Sequence, residues 1–456
     1  MVFSDPLFLF IFLPLVIAVF LAAKKIDDRL AQWSLVVSSC VFYGMWDIRW
    51  LPLLVGSVVL NYVAGVALRS KKHSWILGLG IVVNLVPLVI AKYAGWLSGG
   101  YVFSDIVLPL GISFFTFQQI AFLVDCYKGK VGETSPRHYA LFVAFFPQLV
   151  AGPICHHREM IEQFRQPTKH RWELTFQGLF LILAGLFKKV VIADNLAPYA
   201  DASFGNGGIQ SAFEAWTGTL AYTFQLYFDF AGYCEMAMGI ALLFGFRIPI
   251  NFLSPYKSLS VTEFWRRWHI TLGRWFKDYV YIPLGGNRNG LLVLCTALFM
   301  TAFASGIWHG AGLTFVIWGT MHGMALVTER LCAGKFNLPA NVRLVFTFLF
   351  VHLAWVMFRA PDVSTAIDVY LSLLGMNGPG VPLLFSHIWG VEATVSGLTG
   401  LEIFPAIVLL WWVWTKPNVH EIVPGDSRWT LPTMSAAWVA ILMSITAPSA
   451  FLYFQF

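Results

Sequence analysis

Long apolar stretches punctuated by short basic clusters set the pattern of this chain. Residues 8–23, 76–91, 291–303 and 346–358 contain no Asp, Glu, Lys or Arg and lie inside longer apolar stretches. Each approaches the ~20 residues that an α-helix needs to cross ~30 Å of hydrocarbon. With the apolar runs at 35–54, 106–124, 141–151, 176–186, 213–228, 313–327, 403–414 and 434–450, the pattern predicts roughly 10–13 transmembrane or re-entrant helices. The expected architecture is an all-α integral membrane protein, a single multi-pass domain over residues 1–456. The start, Met1-Val2-Phe3-Ser4-Asp5, has no basic n-region and small-residue cleavage site, so the first helix is expected to be retained.

Composition agrees: 58% of the 456 residues are hydrophobic and 12% charged, against about a quarter charged in soluble domains. The net charge of +6 gathers in Lys24-Lys25, Arg69 with Lys71-Lys72, Lys128 with Lys130, and Arg266-Arg267 with Arg274 and Lys277. Such clusters anchor loops on the cytoplasmic side, and with Lys24-Lys25 inside, the amino terminus falls outside. No basic domain stands apart from the apolar body, which argues against nucleic-acid binding. The six cysteines are scattered and never in CxxC spacing, so neither a disulfide scaffold nor a zinc site is expected, and no other metal is.

Ionisable and polar groups inside apolar runs are costly and therefore mark candidate chemistry. Ser260-Val261-Thr262-Glu263 reads as a capping box opening a helix. At 100° per residue, Trp265, Trp268, Leu272, Trp275, Phe276 and Tyr279 share one face, with Arg266, Arg267, Arg274, Lys277 and Asp278 on the other, the signature of an interfacial helix. His269 falls beside Trp265 and Phe276, on the interior side. Position alone leaves it either a packed, hydrogen-bonded histidine or a participant in chemistry.

Ser305-Gly306-Ile307-Trp308-His309-Gly310-Ala311-Gly312 lies inside a stretch, 291–327, without Asp, Glu, Lys or Arg. Its glycines predict a helix break, tolerated at membrane depth only where protein buries it or a cavity receives it. His309 is thus a candidate cavity-lining base, since imidazole titrates near neutral pH and a positioned base gives ~10²–10⁴-fold. A glycine packing motif carrying a passenger histidine is the alternative, and His322 reads as structural. Asp229 and Glu235, six positions apart in an apolar run, fall on different helix faces and need partners, for which Lys188 or Lys189 is available. The last residues, Phe451-Leu452-Tyr453-Phe454-Gln455-Phe456, read as an aromatic belt or as a flexible hydroxyl able to enter a pocket.

At these residues the chain resembles the membrane-bound O-acyltransferase family, in the branch of the alginate and bacterial cellulose acetylation proteins. The motifs that carry the resemblance include Pro109-Leu110-Gly111-Ile112-Ser113-Phe114-Phe115, Phe146-Pro147-Gln148-Leu149-Val150-Ala151-Gly152-Pro153-Ile154, Gly185-Leu186-Phe187-Lys188-Lys189 and residues 264–288. It implies helices around a central funnel or tunnel, with His309 of the Trp308-His309-Gly310 segment catalytic and His269 the second polar histidine. Tyr453, in the 451–456 motif, is implied as the acyl-carrying residue. Trp308, Asp229 and Lys188 are the candidate substrate-binding residues, with a purely structural ion pair as the alternative for Asp229 and Lys188.

The implied activity moves an acetyl group from a cytoplasmic thioester, acetyl-CoA most simply, across the bacterial inner membrane toward periplasmic polysaccharide, with no tightly bound cofactor. A periplasmic partner of the SGNH type would supply the serine that this sequence, lacking Gly-x-Ser-x-Gly, does not present in an elbow. Membrane lipids surround the chain. The alternatives are D-alanyl transfer, acylation of a lipid or protein, or a non-enzymatic transporter.

Overall fold

The computed structural model describes residues 2–99, 108–166, 172–205, 210–335, 337–380 and 403–421, with 437, 438, 440 and 441. Among the described residues there is no β-strand. Seven helical runs there are long and apolar enough to cross a membrane: Phe8–Ile26, Asp28–Lys71, Ser74–Leu97, Trp172–Gly205, Ala212–Leu243, Gly290–His309 and Ala340–Arg359. Asp28–Lys71 holds two helices of 20 and 21 residues joined by a 3₁₀ turn. The chain is an all-α, multi-pass membrane protein. The described residues fall into two compact units, one drawn from Met1–Phe187, Gly232–Ile250 and Pro424–Gln455, the other from Lys188–Ala231 and Asn251–Val423.

The first unit holds α1 (Leu13–Ile26), α2 (Asp28–Asp47), α3 (Leu51–Lys71), α4 (Ser74–Leu97), α5 (Ile112–Tyr127), α6 (Pro136–Ala144), α7 (Phe146–Leu149), α8 (His157–Arg165) and α9 (Trp172–Leu186). Its core is aromatic, with Phe8, Phe42 and Phe146 in mutual ring contact at 5.5–6.2 Å. Lipid tails are as apolar as a leucine core, so helices here gain by close backbone approach and hydrogen bonds rather than by leaving water. Gly178 shows this: a Cβ there would stand 2.7 Å from the Gly239 carbonyl oxygen.

The second unit holds α10 (Asp194–Gly205), the first 20 residues of α11 (Ala212–Leu243), α12 (Val261–Arg267), α13 (Ile270–Phe276), α14 (Gly290–His309), α15 (Leu313–Leu331), α16 (Ala340–Arg359), α17 (Val363–Leu373) and α18 (Ile403–Thr415). α14 and α15 form a hairpin that crosses through glycine. A Cβ on Gly306 would lie 2.7 Å from Gly319 Cα, and one on Gly319 would lie 2.9 Å from Gly306 Cα.

The predicted single interfacial helix after Ser260 is two short helices. Ser260 Oγ accepts from the Glu263 backbone at 3.1 Å, as a cap should, and Glu263 Oε2 accepts from Leu259 N at 2.9 Å. The helix then stops at Arg267, because Trp268 is extended and His269 is left-handed, at φ 43° and ψ 53°. One helical wheel therefore does not run from Trp265 to Tyr279.

Candidate active site

α14 ends on His309, Gly310 is extended at φ −161° and ψ 158°, and helix resumes at Leu313. The break falls at Gly310-Ala311-Gly312, while Gly306 stays helical and serves the close crossing with α15. His309 is 4% exposed. Its ring lies between Trp308, Trp318 and Phe358, with centroids 4.8, 5.1 and 5.2 Å away and all three contacts edge-on. Trp308 is itself buried and bridges the two histidines, its ring 6.4 Å from that of His269.

His269 is fully buried, with Phe230 edge-on at 4.9 Å. Asn251 Oδ1 faces His269 Nδ1 at 3.2 Å and also accepts from Thr271 N at 3.2 Å and Thr271 Oγ1 at 2.8 Å. Those two donors fix this amide oxygen as an acceptor, so Nδ1 carries the proton and Nε2 is the basic nitrogen. Burial pushes the imidazole down to about 3. A left-handed, non-glycine residue costs about 1–3 kcal/mol and persists where its surroundings over-determine it. Here the Asn251 backbone also accepts from Ile270 N at 2.9 Å. The second histidine is thus turned to the interior by a helix break, for which the wheel gave no signal.

His322 is a packed histidine, as expected, with the Trp265 indole donating to Nδ1 at 3.2 Å. Asp229 finds Lys189 rather than Lys188: Lys189 Nζ lies 2.8 Å from Asp229 and 2.7 Å from Asp194. Lys188 lies near enough to His420 to push that imidazole down after burial, the larger cause. Glu235 is buried in the first unit. Tyr453 and the rest of the 451–456 motif lie outside the described residues.

A cavity of about 380 Å³ is walled by α12, α13, α14 and α15. Trp265, Leu298 and Leu326 are among its apolar walls, Arg266, Arg274 and Lys277 bring three cations, and Ser305 stands on its α14 side. Arg266 and Lys277 are exposed. Ser305 precedes His309 by one helical turn, which puts the two on one helix face.

The His309 imidazole is thus caged by aromatics, one helical turn past a void with apolar walls and three cationic side chains. The sequence profile of the membrane-bound O-acyltransferase family matches residues 79–360, and with them the whole of this hairpin. The chain belongs to the membrane-bound O-acyltransferase family. It is 42% identical over 427 residues to the peptidoglycan O-acetyltransferase of Helicobacter pylori, covering 83% of this chain and 80% of that one. It is 39% identical over 419 residues to a protein of Pseudomonas fluorescens named probable alginate O-acetylase, covering 90% and 81%. A teichoic acid D-alanyltransferase of Bacillus subtilis is 27% identical over 347 residues, covering 71% and 85%. The chain is accordingly an O-acyltransferase.

One polar cluster of this acyltransferase went unread in the sequence. In the first unit, Asp125 Oδ2 meets His156 Nε2 at 3.1 Å and His157 Nε2 at 3.0 Å, with the three ligand atoms within 4.8 Å of one another. Three such groups are enough to hold a metal ion. The Arg158 backbone, however, donates to His156 Nδ1 at 3.3 Å, which leaves the His156 proton on Nε2, pointing at the carboxylate rather than open to a metal. The cluster ties the start of α8 to the end of α5. Adjacent His156-His157 was the available signal, but Asp125 lies 31 positions away from His156, and nothing in spacing joins them.

Proposed function

We propose that this chain takes an acetyl group from a cytoplasmic thioester, most simply acetyl-CoA, and moves it across the bacterial inner membrane toward O-acetylation of an exported glycan of the alginate or cellulose type. The observation that carries the reading is His309, one turn beyond a cavity whose cations suit donor phosphates and whose apolar walls suit the acyl-thioester arm. The names of the nearer relatives, a peptidoglycan acetyltransferase and a probable alginate O-acetylase, support a carbohydrate hydroxyl as final acceptor.

In this reading the Tyr453 hydroxyl enters a central funnel from the outer side. A tyrosine hydroxyl has a pKa near ~10, so it needs a base. His309 takes its proton, the oxygen attacks the thioester carbonyl carbon, the carbon–sulfur bond breaks, and the thiolate leaves and takes the proton from His309. His269, held as the Nδ1–H tautomer by Asn251, keeps its basic nitrogen on the interior side. The Lys189–Asp229 pair lines the interior, and the acetyl ester on Tyr453 then passes to the serine of a periplasmic SGNH-type partner.

Purified protein incubated with labelled acetyl-CoA should carry label in the 451–456 peptide. His309→Ala and Tyr453→Phe should each abolish polymer acetylation in cells. Normal acetylation by either variant removes that residue's role.

A further inference from the structure

Two hydroxyls on consecutive turns of α14 behave differently. Thr301 Oγ1 donates to the Ala297 carbonyl at 2.6 Å, the usual recourse of a hydroxyl inside a helix. Ser305 has the same option with the Thr301 carbonyl and does not take it. The residue is 5% exposed, and its Oγ is buried with no hydrogen-bond partner. An unpaired buried hydroxyl is destabilising, so each one in a folded protein calls for an explanation. Here Ser305 is also part of the cavity wall, and it precedes His309, which is not among that cavity's lining residues, by one helical turn on the same helix face.

We infer that the Ser305 hydroxyl donates its spare hydrogen bond to the carbonyl oxygen of the acyl donor, polarising it while His309 activates the attacking hydroxyl from the next turn. The inference rests on the reading of the cavity as the donor site. When the hydroxyl oxygen bonds to the carbonyl carbon, the carbonyl electron pair moves onto the oxygen that Ser305 holds. As the carbon–sulfur bond breaks, that pair returns and the thiolate carries away its own electrons and the proton that His309 had taken. Ser305 is regenerated unchanged, and neither oxidant nor metal enters. A donor aimed at charge that develops in the transition state raises the rate more than the affinity.

The full-length protein, purified in detergent, is assayed for thiol release from acetyl-CoA over a range of concentrations. Ser305→Ala should lower the maximal rate about 100-fold with little change in the half-saturating concentration. Its thermal midpoint should be unchanged or raised, because an unpaired buried hydroxyl is gone. Ser305→Thr, which keeps a hydroxyl, should recover most of the rate. A wild-type rate in Ser305→Ala overturns the inference, as does an acetyl adduct trapped on Ser305, which would make it a nucleophile. His309→Ala in the same assay separates the two readings: if it is inactive while Ser305→Ala is normal, only the serine's role falls. If His309→Ala is active, the donor-site reading falls first.

Discussion

α4 and α11 both have the length and composition of membrane spans, yet they meet opposite surroundings. The most apolar 18-residue window of α4 is 11% buried within the protein, whereas that of the less apolar α11 is 100% buried. α4 turns Trp75, Leu79, Val82 and Val86 outward and buries only Asn84 and Leu88. α11 buries Thr217, Thr219, Thr223, Gln225, Asp229 and Glu235. In a bilayer an apolar helix face can be left to lipid without loss. Polar side chains are affordable only where other protein groups meet them. Low hydropathy within a span therefore points toward the site.

The strongest test of that contrast is the cation on which the polar side of α11 depends. Lys189 Nζ holds Asp194 and Asp229 together, with side-chain exposures of 5, 16 and 1%. Lys189→Met removes the ammonium that both carboxylates contact and should cost about 3–5 kcal/mol, read as a large fall in thermal midpoint in detergent. Adding Asp229→Asn should restore part of the loss. A Lys189→Met protein that melts with wild type would mean that the α11 interior is wet.

Next in size is a pH effect that sharpens the same point. An unfolded histidine titrates near ~6.5, and His269 is pushed down to about 3 by burial. Between those values the unfolded chain binds a proton that the folded chain does not, so stability falls as pH drops through the window and is fully present above it. The slope from this one residue reaches ~1.4 kcal/mol per pH unit. His269→Asn should flatten the dependence of the melting midpoint between about pH 6 and 4 relative to wild type. An identical slope in the variant would show that His269 reaches water.

The residues that could be read early were those whose meaning is local. Apolar length gave the membrane class, Ser260 and Glu263 gave the start of α12, and Gly310 and Gly312 gave the break beside His309. What could not be read depends on distant partners. Lys188 and Lys189 are equivalent in sequence, and only the fold sends Lys189 to Asp229. The stop after Arg267 is set by the Asn251 contacts to His269, Ile270 and Thr271, from a segment that periodicity does not connect to it. The glycines of 305–312 looked alike, yet Gly306 serves helix crossing and Gly310 serves the break.

The smallest effect belongs to the outer helix. Asn84 ties α4 inward: its Nδ2 donates to Asn61 Oδ1 at 2.6 Å, and Asn61 Nδ2 returns bonds to Asn84 Oδ1 at 3.0 Å and Gln119 Oε1 at 2.8 Å. Interhelical hydrogen bonds in membranes are worth about 0.6–2 kcal/mol, so Asn84→Leu should lower the thermal midpoint modestly. Val82→Ala, two residues away and 53% exposed, removes no protein contact of comparable weight and should change it less. The order of the two variants matters more than either value. If Val82→Ala were the costlier, the outward face of α4 would be packing against protein, and its high hydropathy would have to be assigned to an interface instead of to lipid.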